Sequence, residues 1–186
     1  MTMPEDLDRS DPGKGLQAGW LGREPPAFRL SLEGLTKLKR IPAGQSLYAS
    51  EDHADALVGL ASGHLALLFP LVSGEETVSH ICSPGFWLGA TMLATREPRR
   101  HLTAVARTEV TIAVAPLTAV RRMLQEEPEG WAAIARLMEV HWALTACIAR
   151  DLMLRAAIET ASWRRCCACA ASAPLRHARH RSCAFP

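Results

Sequence analysis

The chain has 186 residues, which suits one domain with appendages rather than two full domains. Apolar residues make up 48% and the formal net charge is only +2, so an ordinary core is expected and the summed charge makes no case for a nucleic-acid or membrane surface. Residues 1–11 are polar and acidic and no run of about 18 uncharged apolar residues occurs, so neither a secretory leader nor a membrane span is expected, and a cytoplasmic setting follows.

Residues 1–27 are rich in Pro, Gly and charge and are expected to form a flexible N-terminal arm with a short helix near 16–21. Leu30, Leu32, Leu35 and Leu38 have the spacing of one helical face, which predicts a helix over 30–38. From Arg40 the texture changes. Turn signals recur about every ten residues, at Pro42-Ala43-Gly44, Ser50-Glu51-Asp52, Ser62-Gly63, Ser73-Gly74 and Ser83-Pro84-Gly85, with apolar segments between them. This is the rhythm of a β-sandwich or barrel, with strands expected at 57–60, 65–69 and 78–82. Val110, Ile112 and Val114 then alternate with Thr111 and Ala113, the period-2 pattern of a half-buried strand.

Pro116 opens a short helix that carries Val120, Met123 and Leu124 and reaches Glu127. Pro128 begins a longer one, since 131–159 contain neither Gly nor Pro. That run of about 30 residues would be about 45 Å long at 1.5 Å per residue. Its apolar seam reads Ile134, Leu137, Met138, His141, Leu144, Ile148 and Leu152. So long a seam exceeds what a small sandwich can cover, and a parallel contact with a second copy is expected along it. Packing of the helix along its own sandwich is the alternative. The expected fold class is therefore mainly β with α. A double-stranded β-helix, or jelly roll, occupies 28–127, a long dimerisation helix 128–160, and a tail 161–186.

The ordered motifs resemble the sensor half of Crp/Fnr transcription regulators, whose domain is cyclic nucleotide-binding-like. Arg40-Ile41-Pro42-Ala43-Gly44-Gln45 resembles that family's R-x-P-x-G-E opening turn, and Ser62-Gly63 its S-G before the next hairpin strand. Pro84-Gly85-Phe86-Trp87-Leu88-Gly89 resembles the P-G-x-x-x-G that leads into the ligand cassette. Arg99-Arg100-His101 followed by Ala104-Val105-Ala106 resembles the segment that closes it. The resemblance covers roughly 30–158 and implies a small-molecule effector bound at Leu88, Gly89, Ala90, Thr91, Arg100 and His101. Physically the cassette is an anion site, in which a glycine permits close backbone approach and an arginine supplies a permanent bidentate charge.

This sequence departs from the cyclic-nucleotide pattern at two places. Ala90 stands where those binders carry a Glu for the ribose hydroxyl, and His101 stands where they carry Ser or Thr. Losing the Glu removes a charge-assisted hydrogen bond of about 1.5–3 kcal/mol. That is about a ten- to hundredfold loss in affinity, which argues against tight cyclic AMP binding. Arg100 also has a plainer reading, as a solvated hairpin charge beside Arg96 and Arg99.

Complete family members follow the long helix with a winged helix-turn-helix, and the residues after Glu159 show neither its periodicity nor its turn glycine. Specific DNA binding is thus expected of intact relatives and not of this chain. Written in G- and C-rich codons, Arg165-Cys166-Cys167-Ala168-Cys169 reads Leu-Leu-Arg-Leu in a shifted frame, so an out-of-frame tail is expected.

No resident cofactor or metal is expected. Cys166, Cys167 and Cys169, with His177 and His180, lack the regular C-x2-C pairing of a zinc site. An iron–sulfur sensor needs an N-terminal cysteine set, which is missing before Cys82, and none of His53, His64 and His80 is singled out as a haem ligand. The expected function is effector sensing and dimerisation in a transcription regulator, with no enzymatic activity. The alternatives are a free-standing ligand-binding module that heterodimerises with an intact relative, and a cupin-type enzyme, which would need a His-x-His pair that His64 and His80 do not make.

Overall fold

A computed structural model describes residues 12–71 and 74–171. After two N-terminal helices, α1 (Pro12–Gln17) and α2 (Pro26–Gly34), come eight strands: β1 (Lys37–Ile41), β2 (Ser46–Tyr48), β3 (Ala56–Ser62), β4 (Leu65–Pro70), β5 (Glu76–Cys82), β6 (Trp87–Leu88), β7 (Thr103–Ala106) and β8 (Val110–Pro116). Helix α3 (Leu117–Glu126) and helix α4 (Gly130–Ala171) follow. The strands form two four-stranded sheets, ordered β1-β8-β3-β6 and β2-β7-β4-β5, with every pairing antiparallel. This is the jelly-roll sandwich that the turn spacing predicts, and the four expected strands correspond to β3, β4, β5 and β8. Ser73, one half of an expected turn, lies outside the described residues.

The two sheets have different surroundings. β3 is buried from Ala56 to Ala61 because the first sheet lies between two cores. Val58, Leu60, Val110 and Ile112 point into the sandwich, while Leu57, Ala61, Ala113 and Ala115 meet the helices. A strand covered on both faces reads as continuous apolar sequence instead of alternation. Gly59 sits at its centre, where a Cβ would come within 2.7 Å of the Trp87 ring and 2.9 Å of Leu16. β5, in the second sheet, keeps Thr77, Val78 and Ile81 exposed.

Three expectations are corrected. Residues 12–27 are not a flexible arm. Leu16, Trp20 and Leu21 are buried in the helix-side core, and the Trp20 indole N–H donates to the Ala133 carbonyl at 3.0 Å. Glu24, also buried, pairs with Arg136, whose Nε donates to both carboxylate oxygens at 3.1 Å. The physical reason is that the outer face of the first sheet is apolar and needs cover, which this segment supplies together with α3 and α4. Residues 1–11 lie outside the described residues.

The helix expected over 30–38 is displaced. α2 starts at Pro26, ends at Gly34, and Leu38 is already in β1 opposite Ala113 of β8. Leucine spacing suggested one continuous face, but ladder hydrogen bonds to β8 take the last residues.

The long helix also runs beyond 160, through Ala171, so 161–171 and with them Cys166, Cys167 and Cys169 are helical. Residues 172–186, including His177, His180 and Cys183, lie outside the described residues. The chain divides into two compact units, Met1–Ala143 and Leu144–Pro186, and α4 contributes to both. In the first unit Ile134 and Leu137 are fully buried and Met138 packs against the same core. The apolar face there is used by the chain's own sandwich, which seals Ile134 and Leu137. In the second unit Leu144 and Ile148 are partly exposed, Met153 and Leu154 are exposed, and the Leu152 side chain lies outside the described residues. The stretch Gly130–Arg150 has the length and composition of a membrane span, with a mean hydropathy of 1.3. It nonetheless carries Arg136, Glu139 and His141 and gives Ala133, Ile134 and Leu137 to a protein core.

Candidate functional site: a cavity beside a buried arginine

The cassette is a tight turn between the two cores. β6 ends at Leu88, which faces the sandwich interior, and a short 3-10 turn over Ala90–Leu93 carries Ala90, Met92 and Leu93 into the helix-side core. Gly89 links them in the left-handed region, at φ +100°. A side chain there would be strained by φ alone, and its Cβ would also lie 3.1 Å from both the Ala56 carbonyl oxygen and the Arg100 guanidinium. Glycine thus allows the arginine to lie against the turn.

Arg100 is buried, with 5% of its surface exposed, which excludes the solvated hairpin reading. Its backbone is clamped by the β2–β3 loop: its N–H donates to the Asp52 carbonyl at 2.9 Å, and its carbonyl accepts from Glu51 N–H at 2.8 Å. Its Nη2 donates to the Ala56 carbonyl at 2.8 Å, and the guanidinium carbon sits 4.3 Å from the centre of the Tyr48 ring. A buried cation needs such contacts, since desolvation without them is costly. A guanidinium has five N–H donors. One hydrogen bond holds it here among the described residues, and the others remain for an acceptor.

That acceptor has a place to sit. Arg100 and Tyr48 line a cavity of about 420 Å³ together with Lys39, Asp52, His53 and Asp55, over apolar walls from Ala56, Val58, Ile112 and Val114. Burial pushes the Tyr48 hydroxyl up to about 12, partly opposed by the Arg100 charge, so the phenol is a neutral hydrogen-bonding group at physiological pH. Burial also pushes the Cys82 thiol, in the sandwich interior, up to about 12. It is a core residue and not a thiolate. Among the described residues no group of three or more His, Cys, Asp or Glu is arranged to hold a metal ion.

Of the six residues expected at the ligand, only Arg100 lines this cavity. Leu88 and Ala90 are core residues on opposite sides of the turn, Gly89 shapes it, and Thr91 and His101 are exposed. The polar lining residues that sequence reasoning missed come from β1 (Lys39), β2 (Tyr48) and the β2–β3 loop (Asp52, His53 and Asp55). Their signal is the polar stretch 50–55 between two strands, of which Ser50-Glu51-Asp52 reads locally as a turn. What brings it to Arg100 is the bridge between His53 and Arg99, a long-range pairing.

Residues 38–127 match the family model described as the cyclic nucleotide-binding domain. Its architecture is shared with sensor domains of Crp/Fnr-type transcription regulators. The N-terminal domain of a transcriptional regulator from Streptomyces coelicolor is similar at 20% identity and a TM-score of 0.58, over 71% of this chain and 92% of that one. The catabolite activator protein of Thermus thermophilus is similar at 20% identity and a TM-score of 0.57, over 76% of this chain and 62% of that one. The c-di-GMP-responsive global regulator CLP of Xanthomonas campestris is similar at 16% identity and a TM-score of 0.57, over 66% and 61%. The chain therefore spans less than two thirds of these last two regulators. No curated protein sequence matches it.

Proposed function

We propose that this chain is the effector-sensing and dimerisation part of a Crp/Fnr-type regulator, with no catalytic role and a cytoplasmic setting. The observation that supports this is Arg100, a buried guanidinium pinned by Ala56 and Tyr48 beside a cavity, with donors left for an anion. The effector is a small anion. A cyclic nucleotide would place its phosphate on Arg100, but Ala90 offers no carboxylate for the ribose; Lys39 adds a second positive charge at the cavity, and Asp52 and Asp55 are acceptors for donor groups elsewhere on the effector. Dimerisation falls to the seam from Leu144 through Ile148 to Leu152. Met138 and His141 sit at its beginning, already partly engaged by the chain's own sandwich. The residues after Glu159 carry no helix-turn-helix pattern, and the reading offered for this segment is an out-of-frame tail. Sequencing the locus tests this last point, and an intact reading frame with no helix-turn-helix coding downstream refutes it.

The effector reading is tested by thermal shift with cyclic AMP, cyclic GMP, c-di-GMP and a set of small organic acids. A true effector at a hundred times its dissociation constant stabilises by about 2.7 kcal/mol. Arg100→Lys should abolish that shift while the protein still melts cooperatively. If no anion gives a shift, or if Arg100→Lys leaves it intact, the assignment fails.

A further inference from the structure

A second cavity, of about 320 Å³, lies between residues 19–23, the β5–β6 turn and the part of α4 around His141, all within the first compact unit. Among the described residues it shares no lining residue with the cavity beside Arg100. Its floor is aromatic. Phe86 stands between two imidazoles, His80 at 5.5 Å and His141 at 5.3 Å between ring centres, the latter nearly parallel at 26°. Trp20 and Trp87 meet edge to face behind it, 6.0 Å apart.

The polar side chains at this cavity are the Arg23 guanidinium, the Ser83 hydroxyl, the two imidazoles and the Trp87 indole, so donors outnumber acceptors. Among the described residues Arg23 is the only lining residue with a permanent charge, it is exposed, and no carboxylate lines the cavity. The neighbouring Glu24 is committed to Arg136 and so does not neutralise it. Burial holds both imidazoles below their usual range, so they are neutral at physiological pH. The indole N–H of Trp87 is buried without an acceptor among the described residues. A flat apolar floor with one cation at its rim and an excess of donors suits a planar apolar body carrying one negative charge. A neutral ring would gain nothing from the guanidinium, and an amine would be repelled by it.

We propose that this cavity is a second ligand site, for an aromatic monocarboxylate whose ring lies on Phe86 and His141 and whose carboxylate meets Arg23. It is independent of the effector reading, because the two cavities share no residue.

The test uses the full chain, labelled with nitrogen-15, and benzoate as the probe. The five tryptophans provide five indole reporters, assigned by single Trp→Phe replacements. Benzoate should shift the Trp20 and Trp87 signals saturably, with a dissociation constant on the order of 0.1–1 mM, which is what ligand efficiency allows a molecule of that size. The exposed Trp142 should stay in place. Benzyl alcohol should bind more weakly, and benzylamine should not bind.

Arg23→Gln should weaken benzoate about three- to tenfold, to the level of benzyl alcohol. Val140→Glu, which adds a carboxylate at the rim, should abolish binding. Both positions are exposed, so both variants should fold, and their melting curves check this. Asp55→Asn, in the other cavity, should leave benzoate binding unchanged. The proposal is overturned if benzoate moves neither Trp20 nor Trp87, if benzyl alcohol binds as well as benzoate, or if both rim variants bind benzoate like the parent.

Discussion

The early and late turns of α4 are alike in composition and opposite in environment. Both are Ala- and Leu-rich with an apolar seam, yet Ile134 and Leu137 are sealed in a core while Leu144 and Ile148 are partly open and Met153 and Leu154 are exposed. The same pattern therefore means two things along one helix. In the early turns it answers the apolar outer face of the first sheet, with Trp20 and Leu21 completing the packing. In the later turns it remains available for another chain. Periodicity reports that a face wants cover; it does not report what covers it.

The largest effect should come from breaking the covered half. Leu137→Ala should cost about 2–5 kcal/mol in urea-unfolding stability, the range for deleting a buried leucine side chain. A loss below about 1 kcal/mol would show that the early seam is not core. Next is the turn against which Arg100 and its cavity are built. Gly89→Ala forces a β-carbon into positive φ against Ala56 and Arg100 and should cost about 1–3 kcal/mol. Its ligand-induced thermal shift should shrink more than its melting temperature implies, because Arg100 must move.

A pH effect of intermediate size should follow from His141 and, in the same direction, His80. Burial depresses both imidazoles, with His141's backbone hydrogen bond at Trp87 acting the other way. Above about pH 6.5 each ring is neutral whether the chain is folded or unfolded, so stability there does not depend on them. As pH falls below that value the unfolded chain takes up protons that the folded chain resists, so stability declines. His141→Phe should flatten that acid-side decline when unfolding is compared at about pH 7.5 and about pH 5.5. An unchanged slope would mean that the ring is already solvated in the folded protein.

The smallest effect on stability, about 0.5 kcal/mol or less, is expected for Ile148→Asp when unfolding is compared at protein concentrations too low for dimers, because the site is not in the core. Its mass by light scattering should nevertheless fall to that of a monomer. A dimer that survives this substitution would move the interface away from the late seam.

Much of this protein is written in local sequence. Turn residues such as Pro42-Ala43-Gly44 and Ser62-Gly63 set the spacing of the strands, because tight turns need special backbone geometry whatever surrounds them. The run free of Gly and Pro after Gly130 makes the long helix for a similarly local reason. Gly89 and Arg100 were legible too, as a pair that belongs to a cassette. What only the tertiary structure decided is where surfaces meet. The Pro- and Gly-rich composition of 12–27 suggested an arm, yet Leu16, Trp20 and Leu21 are buried because the sheet behind them is apolar on both faces. Ala90 was placed at a ligand by its position after the glycine, yet the left-handed turn sends it into a core. The cavity partners Lys39, Tyr48, Asp52, His53 and Asp55 reach Arg100 only through pairings between distant parts of the chain, and no local pattern encodes those pairings.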